Sequence, residues 1–169
     1  MNIYLTSGTF DFLQKIKEKH PSETMVLMQN NETSVLLHET PKKTVFGAPR
    51  SYQVLESLGN LVQAGFASMR HIPVTDEERP VFEHRFKNKE SIFQALSGFI
   101  ALRVLRPVKS NTYIIFTLWN SEKSYKEWED SKAHENLFNN LASESLQAQM
   151  FMGKSYVSSY YLPSEEKDE

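Results

Sequence analysis

The order in which predicted strands and helices follow one another constrains the fold of this chain more than any other feature. Asn2–Leu5 reads as a short strand, and Thr9 then caps a helix whose apolar residues share one face. Met25–Met28 and Ser34–Leu37 flank a polar turn, which is typical of a hairpin. A further helix is predicted over residues 49–59, because Pro49 suits a helix start and Gly59 a helix end. This helix would carry three apolar side chains at helical spacing, namely Tyr52, Leu55 and Leu58.

The second half repeats this order at greater length and adds a closing strand. Its predicted strands are Gly65–Ile72, Phe99–Leu105, Thr112–Trp119 and Ser155–Leu162. A helix that begins near Thr75 and ends at Ser97 separates the first two strands. It places three aromatic residues near one face, namely Phe82, Phe86 and Phe93. Another helix carries Tyr125 and Trp128 and restarts at a bend at Ser131 before the last strand.

Both halves therefore read β-α-β-β-α, the order of the split βαβ, ferredoxin-like motif. Each half alone would leave one apolar sheet face uncovered, and packing the two sheets face to face would bury both. We predict an α+β fold: a ferredoxin-like barrel of the dimeric α+β type formed within one chain, a pseudo-dimer of two βαββα units. The predicted parts are a degenerate half over residues 1–62, a second unit over 63–163 and an acidic, solvated tail over 164–169. A monomer is the expected state.

Composition and charge exclude several classes of function. The sequence contains no cysteine, which rules out disulfides, iron–sulfur clusters and cysteine nucleophiles. Nineteen basic and 21 acidic residues give a net charge of −2, so no bulk basic field attracts nucleic acid. Arg103 and Arg106 are expected at a solvated strand end rather than on an RNA-binding face. The early polar residues and the short apolar runs predict a cytoplasmic protein without stable membrane insertion.

Three side chains stand out as candidates for chemistry. His134 shares a helical face with Leu137, Phe138 and Leu141, where an imidazole needs a partner or a ligand. It is either a core histidine bonded to backbone or water, or a cofactor ligand or pocket donor. Trp128 is either a core anchor or part of a pocket. Arg70 lies on a strand and is either exposed and snorkelling or paired with a carboxylate-bearing ligand.

Three segments of the second half carry a family resemblance: Ala101–Pro107, Tyr113–Trp119 and Ser124–Ser131. Together they resemble the antibiotic-biosynthesis-monooxygenase (ABM) domain, whose class includes the Isd-type haem-degrading monooxygenases. The match covers about residues 64 to 162. Tyr4–Leu13 and the stretch near Tyr52 extend it across the chain, which resembles two-part relatives. These are the bacillary haem-degrading monooxygenases and the staphylococcal target of RNAIII-activating protein.

The resemblance implies a catalytic role for one matching residue, whereas two other catalytic positions carry different residues in this sequence. In the Isd-type enzymes a Trp, a His and an Asn form the catalytic set, and the Trp matches Trp128. The usual His position falls on Phe138, and the Asn position falls on Arg70. His134 lies one helical turn before Phe138 on the same face, as if His and Phe were exchanged. The exchange fits either a shifted iron ligand or a chain that has abandoned haem.

The resemblance implies a haem-degrading monooxygenase, an oxidoreductase that opens the porphyrin and releases iron. Haem would be both substrate and cofactor, and an unidentified reductase would supply electrons. His134 would ligate the iron, Trp128 and Arg70 would complete the catalytic set, and Phe82, Phe86 and Phe138 would line the pocket. Two alternatives stay open: a non-catalytic signalling or stress-response regulator on the same fold, and a protein that acts on another aromatic small molecule.

Overall fold

The computed structural model describes residues 1–144 and 155–164. The first half contains four strands and one helix. They are β1 (Asn2–Gly8), α1 (Phe10–Lys19), β2 (Thr24–Gln29), β3 (Ser34–Thr40) and β4 (Arg50–Leu58). Thr9 caps α1, since its hydroxyl accepts a hydrogen bond of 3.3 Å from the backbone N–H of Phe12. The predicted cap, first helix and hairpin of this half are confirmed.

The described part of the second half contains four strands and four helices. They are β5 (Gly65–Pro73), α2 (Arg79–Arg85), α3 (Glu90–Gln94), β6 (Phe99–Pro107), β7 (Thr112–Trp119), α4 (Glu122–Glu129), α5 (Lys132–Glu144) and β8 (Tyr156–Leu162). A 3-10 turn, Asp76–Glu78, leads into α2. The four strands predicted for this half are confirmed, and so is the bend at Ser131, which lies between α4 and α5.

The eight strands of the described residues form one closed antiparallel barrel in the order β1-β3-β2-β8-β5-β7-β6-β4. Within each half the strands follow the ferredoxin-like order: β4-β1-β3-β2 in the first half and β8-β5-β7-β6 in the second. Pairing of β4 with β6 and of β2 with β8 closes the barrel between the halves. The predicted fold class, an α+β barrel of the dimeric type within one chain, is confirmed. The proposed boundary at residue 62 lies between β4 and β5 and stays a prediction; of the predicted tail, residues 165–169 lie outside the described residues.

The helix predicted over residues 49–59 is wrong, because this segment is β4. Tyr52 pairs with Ile3 of β1, and Leu58 pairs with Leu102 of β6. The ladder to β6 shifts register between Val54 and Glu56, as a β-bulge does. Tyr52 and Val54 therefore pack inside the barrel, whereas Leu55 and Leu58 pack outside. Because of the bulge, the outward-facing Leu55 and Leu58 are three residues apart, which is also the spacing of a helical face. The element order of the first half is therefore β-α-β-β-β.

The single long helix predicted between Thr75 and Ser97 is also wrong, because it is interrupted. Asn88 has a left-handed backbone (φ 60°) between α2 and α3, a conformation in which an asparagine is tolerated better than most residues. The predicted clustering of Phe82, Phe86 and Phe93 nevertheless holds, since all three are buried in one hydrophobic cluster. Burial against the sheet therefore fixes these rings on both sides of the break.

Three apolar clusters organise the molecule. The barrel interior takes alternate residues from all eight strands, for example Ile3, Ala67 and Phe116. α1 covers the outer face of the first-half sheet around Leu13 and Leu36. The helices of the second half cover the outer face of their own sheet, and this cluster holds most of the aromatic side chains. The site residues proposed from the sequence belong to this last cluster or contact it.

Arg103 lies inside the barrel, so its expected place at a solvated strand end is wrong. Its guanidinium Nε donates to Glu39 Oε2 at 2.6 Å, and its Nη1 donates to the Leu58 carbonyl at 2.8 Å. Only 4% of the Arg103 side chain and 13% of the Glu39 side chain are exposed. Arg103 has the strand parity of Ala101 and Leu105, which face the interior. A buried ion pair therefore joins a second-half strand to a first-half strand.

Candidate functional site

The bend between α4 and α5 sets the relative positions of Trp128 and His134. The Ser131 hydroxyl donates to the Trp128 carbonyl at 2.6 Å and accepts from the backbone N–H of His134 at 3.3 Å. One short side chain thus satisfies a carbonyl at the end of α4 and an amide at the start of α5. Both helices consequently present their aromatic side chains to the same part of the sheet.

Trp128 is held rigidly in an aromatic stack. Its ring lies 5.2 Å from that of Trp119 at an interplanar angle of 30°, and 5.8 Å from the ring of Phe93. Only 5% of the residue is exposed. A side chain packed in this way has a fixed orientation, which is what a residue positioned against a ligand requires.

His134 packs edge-on against Trp128, with ring centroids 4.7 Å apart and an angle of 80°. Its ring also lies 4.6 Å from that of Phe138. Burial, assisted by the positive charge of Arg70, lowers the pKa of His134 to about 4. The imidazole is therefore neutral at neutral pH, which is the state in which a histidine nitrogen can ligate a metal. The residue is only half-buried, so a ligand can reach it.

Arg70 of β5 reaches over the ring of Phe138. Its guanidinium carbon lies 4.6 Å from the centre of the Phe138 ring, a cation–π arrangement. Burial lowers the pKa of Arg70, yet an arginine stays protonated in proteins. The residue is half-buried, so it is not the fully exposed strand arginine, and its pairing with a carboxylate-bearing ligand stays a prediction. It places a positive charge at the rim of the aromatic cluster.

The remaining candidates, Phe82 and Phe86, extend the cluster from Phe138 toward α2. The rings of Phe86 and Phe138 lie 6.3 Å apart, and those of Phe82 and Phe86 lie 5.1 Å apart. Phe82 contacts the ring of Tyr113 at 4.7 Å and so lies furthest from His134 along this chain of contacts. All six side chains singled out from the sequence thus form one connected set. Their role as a haem site stays a prediction.

Tyr125 and Glu129 belong to the same region but were not singled out from the sequence. The Tyr125 hydroxyl donates to Glu129 Oε2 at 2.6 Å. Burial raises the pKa of Tyr125 to about 12, whereas the hydrogen bond from Tyr125 lowers the pKa of Glu129. Glu129 is therefore an ionised carboxylate whose charge acts on His134. Their i, i+4 spacing on α4 is the one signal in the sequence that could have identified the pair.

Acid is expected to destabilise the protein through two imidazoles. Burial lowers the pKa of His71, as of His134, to about 4 from an ordinary 6.5. The unfolded chain therefore binds protons that the folded chain does not, so stability is complete above pH 6.5 and falls as the pH drops toward 4. We expect a loss of about 4 kcal/mol, about 2.5 kcal/mol from the buried His71 and less from the half-buried His134, measured by urea denaturation at about pH 7 and about pH 4.5. The double variant His71→Gln/His134→Gln should flatten this dependence; an equally steep profile would contradict the assignment.

The comparisons with known proteins point to one family. Residues 65–140 match the sequence profile of the family described as antibiotic biosynthesis monooxygenase. The signal transduction protein TRAP of Staphylococcus epidermidis is 29% identical over 161 residues, which make up 95% of this chain and 94% of that protein. The similarity therefore includes the first half of the chain as well as the second.

Solved structures share the whole architecture. A structure described as a major regulator of staphylococcal pathogenesis superposes with a TM-score of 0.84 at 26% identity, covering 97% of this chain and 100% of that one. A haem-degrading enzyme from Listeria monocytogenes superposes with a TM-score of 0.78 at 23% identity, covering 96% and 100%. This second likeness shows the common fold. Among the described residues, no helix is long and apolar enough to cross a membrane.

Proposed function

We propose that the protein, whose residues 65–140 match the profile of the antibiotic biosynthesis monooxygenase family, binds haem beside Trp128 and degrades it oxidatively. One observation carries the proposal. His134, a neutral and half-buried imidazole, is fixed against a rigid tryptophan at the edge of an aromatic cluster. A protein of the same fold is described as a haem-degrading enzyme. This combination favours haem over other flat aromatic molecules, because a neutral imidazole nitrogen can ligate haem iron, whereas most other aromatic substrates have no metal for it to bind.

The residues present suit the chemistry of haem. His134 would supply a nitrogen ligand to the iron, and Arg70 would pair with a propionate carboxylate. Phe86 and Phe138 would contact the flat apolar ring, with Phe82 behind them. When bound, haem supplies the iron that activates dioxygen and is also the substrate that is opened, with electrons from an external donor.

The protein's own groups orient the ligand and fix the charges around it. Trp128 is held by Trp119 and Phe93, so it resists displacement by a bound ring. The hydrogen bond from Tyr125 lowers the pKa of Glu129 and keeps it ionised. Its negative charge raises the pKa of His134, whereas the positive charge of Arg70 lowers it. Burial, together with the charge of Arg70, outweighs Glu129 and keeps the imidazole neutral at neutral pH, and the Tyr125 hydroxyl holds its proton there as well.

We further propose that the protein acts in the cytoplasm as a monomer. The barrel that two chains build in a dimer is closed here within one chain, by the pairing of β4 with β6 and of β2 with β8. This arrangement supports a site that is complete in a single molecule.

Turnover is the test of the proposed activity. The haem-loaded protein is given ascorbate in air with catalase, which removes free peroxide, and the Soret band and chelatable iron are followed. We expect the Soret band to be lost and about one iron to be released per haem. Haem that stays intact, or is bleached only when catalase is omitted, would overturn the proposed activity. In the same assay His134→Ala should lose this turnover. His84→Ala is its matched control and should keep it, because His84 is an exposed imidazole on α2.

A regulatory function is the second candidate, and two observations favour it. The 29% identity to the signal transduction protein TRAP extends over nearly the whole of both chains. In addition, Phe138 and Arg70 contact each other, so the site is partly filled by the protein's own side chains. A protein that shows no haem-specific spectrum under the conditions above would favour this second function.

A further inference from the structure

Both tryptophans of the chain lie in contact with each other, and a buried tyrosine lies beside them. The sequence contains two tryptophans, Trp119 and Trp128, and their rings stack at 5.2 Å. The ring of Tyr125 lies 6.3 Å from that of Trp119 and 6.1 Å from that of Trp128. Indole and phenol rings lose one electron more readily than the other aromatic side chains do. An electron vacancy can therefore move among these three rings in short steps.

The Tyr125 hydroxyl has a proton acceptor in place, because it donates to Glu129 Oε2 at 2.6 Å. This hydrogen bond lowers the pKa of Glu129, so the carboxylate is ionised and able to take up a proton. A phenol that loses an electron becomes a strong acid, and a base within hydrogen-bond distance can accept its proton in the same step. The pair is therefore arranged for an oxidation of Tyr125 that is coupled to proton transfer.

A second tyrosine with a carboxylate partner connects these rings to the surface. The ring of Phe66 lies 5.5 Å from that of Tyr125 and 5.4 Å from that of Tyr161. Phe66 and Tyr161 are directly opposite each other on β5 and β8, so strand pairing fixes this contact. The Tyr161 hydroxyl donates to the carboxylate of Glu122, and 56% of Tyr161 is exposed. A soluble reductant can thus reach a tyrosine that lies one ring away from Tyr125.

We propose that these side chains form a redox relay, which carries an electron from a soluble one-electron reductant at Tyr161 through Tyr125 to a Trp128 that a one-electron oxidant has oxidised. In the inner step the Trp128 radical cation takes one electron from Tyr125, and the Tyr125 proton passes to Glu129. The products are neutral Trp128, a neutral Tyr125 phenoxyl radical and a protonated Glu129. A Trp128 radical that has already lost its indole proton regains one from water.

The outer step restores Tyr125 from the surface. Tyr161 gives an electron to the Tyr125 radical, Glu129 returns the proton to Tyr125, and the proton of Tyr161 passes to Glu122. A reductant such as ascorbate then gives one electron to Tyr161, which recovers its proton from Glu122. The relay consists of the chain's own side chains and does not depend on haem. Its extension to an oxidant formed at a haem beside Trp128 rests on the proposed function.

Pulse radiolysis of the haem-free protein in azide solution tests the inner step. The azide radical is a one-electron oxidant of tryptophan, and tryptophan and tyrosine radicals have distinct visible absorption bands. We expect the tryptophan radical to decay as a tyrosine radical forms, at a rate independent of protein concentration. In Tyr125→Phe this transfer should be at least about tenfold slower. Tyr4→Phe is the matched control and should transfer at the unaltered rate, because Tyr4 packs against the first-half cluster under α1.

Glu129→Gln keeps the phenol and removes its proton acceptor. We expect the transfer to be at least about tenfold slower in this variant, since a positioned base typically contributes more than that. Glu127→Gln is its matched control and should transfer at the unaltered rate, because Glu127 is exposed on the same helix. The unaltered protein should also transfer more slowly in deuterium oxide, because a proton moves together with the electron. A purely structural role of Glu129 would not produce this isotope effect.

The outer step is tested by adding ascorbate, which should remove the tyrosine radical at least about tenfold more slowly in Tyr161→Phe than in the unaltered protein. Circular dichroism shows whether each variant is folded. An unchanged decay of the tryptophan radical in Tyr125→Phe would overturn the proposal, and so would tryptophans that azide radicals do not oxidise. Decay that accelerates with protein concentration would also overturn it, because the electron would then come from another molecule. Since no haem is added, each of these results leaves the proposed haem degradation to be judged by its own assay.

Discussion

Replacing Glu39 with glutamine is expected to lower the free energy of unfolding by about 3–5 kcal/mol, the cost typical of breaking a buried ion pair. Glutamine preserves the shape of the side chain and removes its charge. The Arg103 guanidinium would then lie inside the barrel without an anionic partner, with two backbone carbonyls at 2.8 and 2.9 Å and a neutral amide oxygen as its acceptors. Urea denaturation followed by circular dichroism measures the change.

An exposed ion pair provides the control for this prediction. Asp76 pairs with Arg79 at 3.3 Å, but 87% of the Asp76 side chain is exposed. Asp76→Asn is therefore expected to change stability by less than about 1 kcal/mol. The double variant Glu39→Gln/Arg103→Met should recover part of the loss, because it removes the unpaired charge. Equal effects of Glu39→Gln and Asp76→Asn would show that the interior pair contributes little.

Replacing His134 with alanine is expected to weaken haem binding by at least about tenfold, which corresponds to 1.4 kcal/mol. His134 is the one imidazole that the described part of the molecule sets against Trp128. Haemin titration followed in the Soret region measures the affinity. Added imidazole should restore the spectrum of the variant, because a free ligand can enter the space that the side chain leaves. Neither a loss of packing nor a change of fold would be rescued in this way.

Two further variants separate ligation from packing. Phe138→His moves an imidazole one turn along α5, about 5.4 Å, to the position that the Isd-type enzymes use, and should strengthen binding. His84→Ala should leave binding unchanged, because His84 is exposed on α2. Unchanged affinity in His134→Ala would identify His134 as a core histidine and would leave His71, His84 or a tyrosine as the ligand.

Local periodicity predicted most of the strands, because their side chains alternate between the barrel interior and the outer face that the helices cover. It failed at β4, where a bulge puts Leu55 and Leu58 on one side of the strand. A bulge depends on the neighbouring strands β1 and β6, which lie far away in the sequence. Closure of the barrel also depends on such distant pairs. It could be predicted from the order of the elements, but not from any one segment.

The candidate site was predictable where a single helix determined it. The helical stripe of α5 set His134 and Phe138 on one face, and they lie 4.6 Å apart. The contact of Arg70 with Phe138 could not be predicted, because it joins a strand to a helix more than 60 residues later. The burial of Arg103 was missed for the same reason, since its partner Glu39 lies in the other half of the chain.

The most direct test of the central claim, that the protein binds haem beside Trp128, is a haemin titration of the unaltered protein at micromolar concentration. We predict a shifted Soret band that saturates at one haem per chain and quenches the fluorescence of the Trp119–Trp128 pair in parallel, since those rings stack at 5.2 Å. A spectrum of free haemin at every ratio, with tryptophan fluorescence unaffected, would contradict the claim.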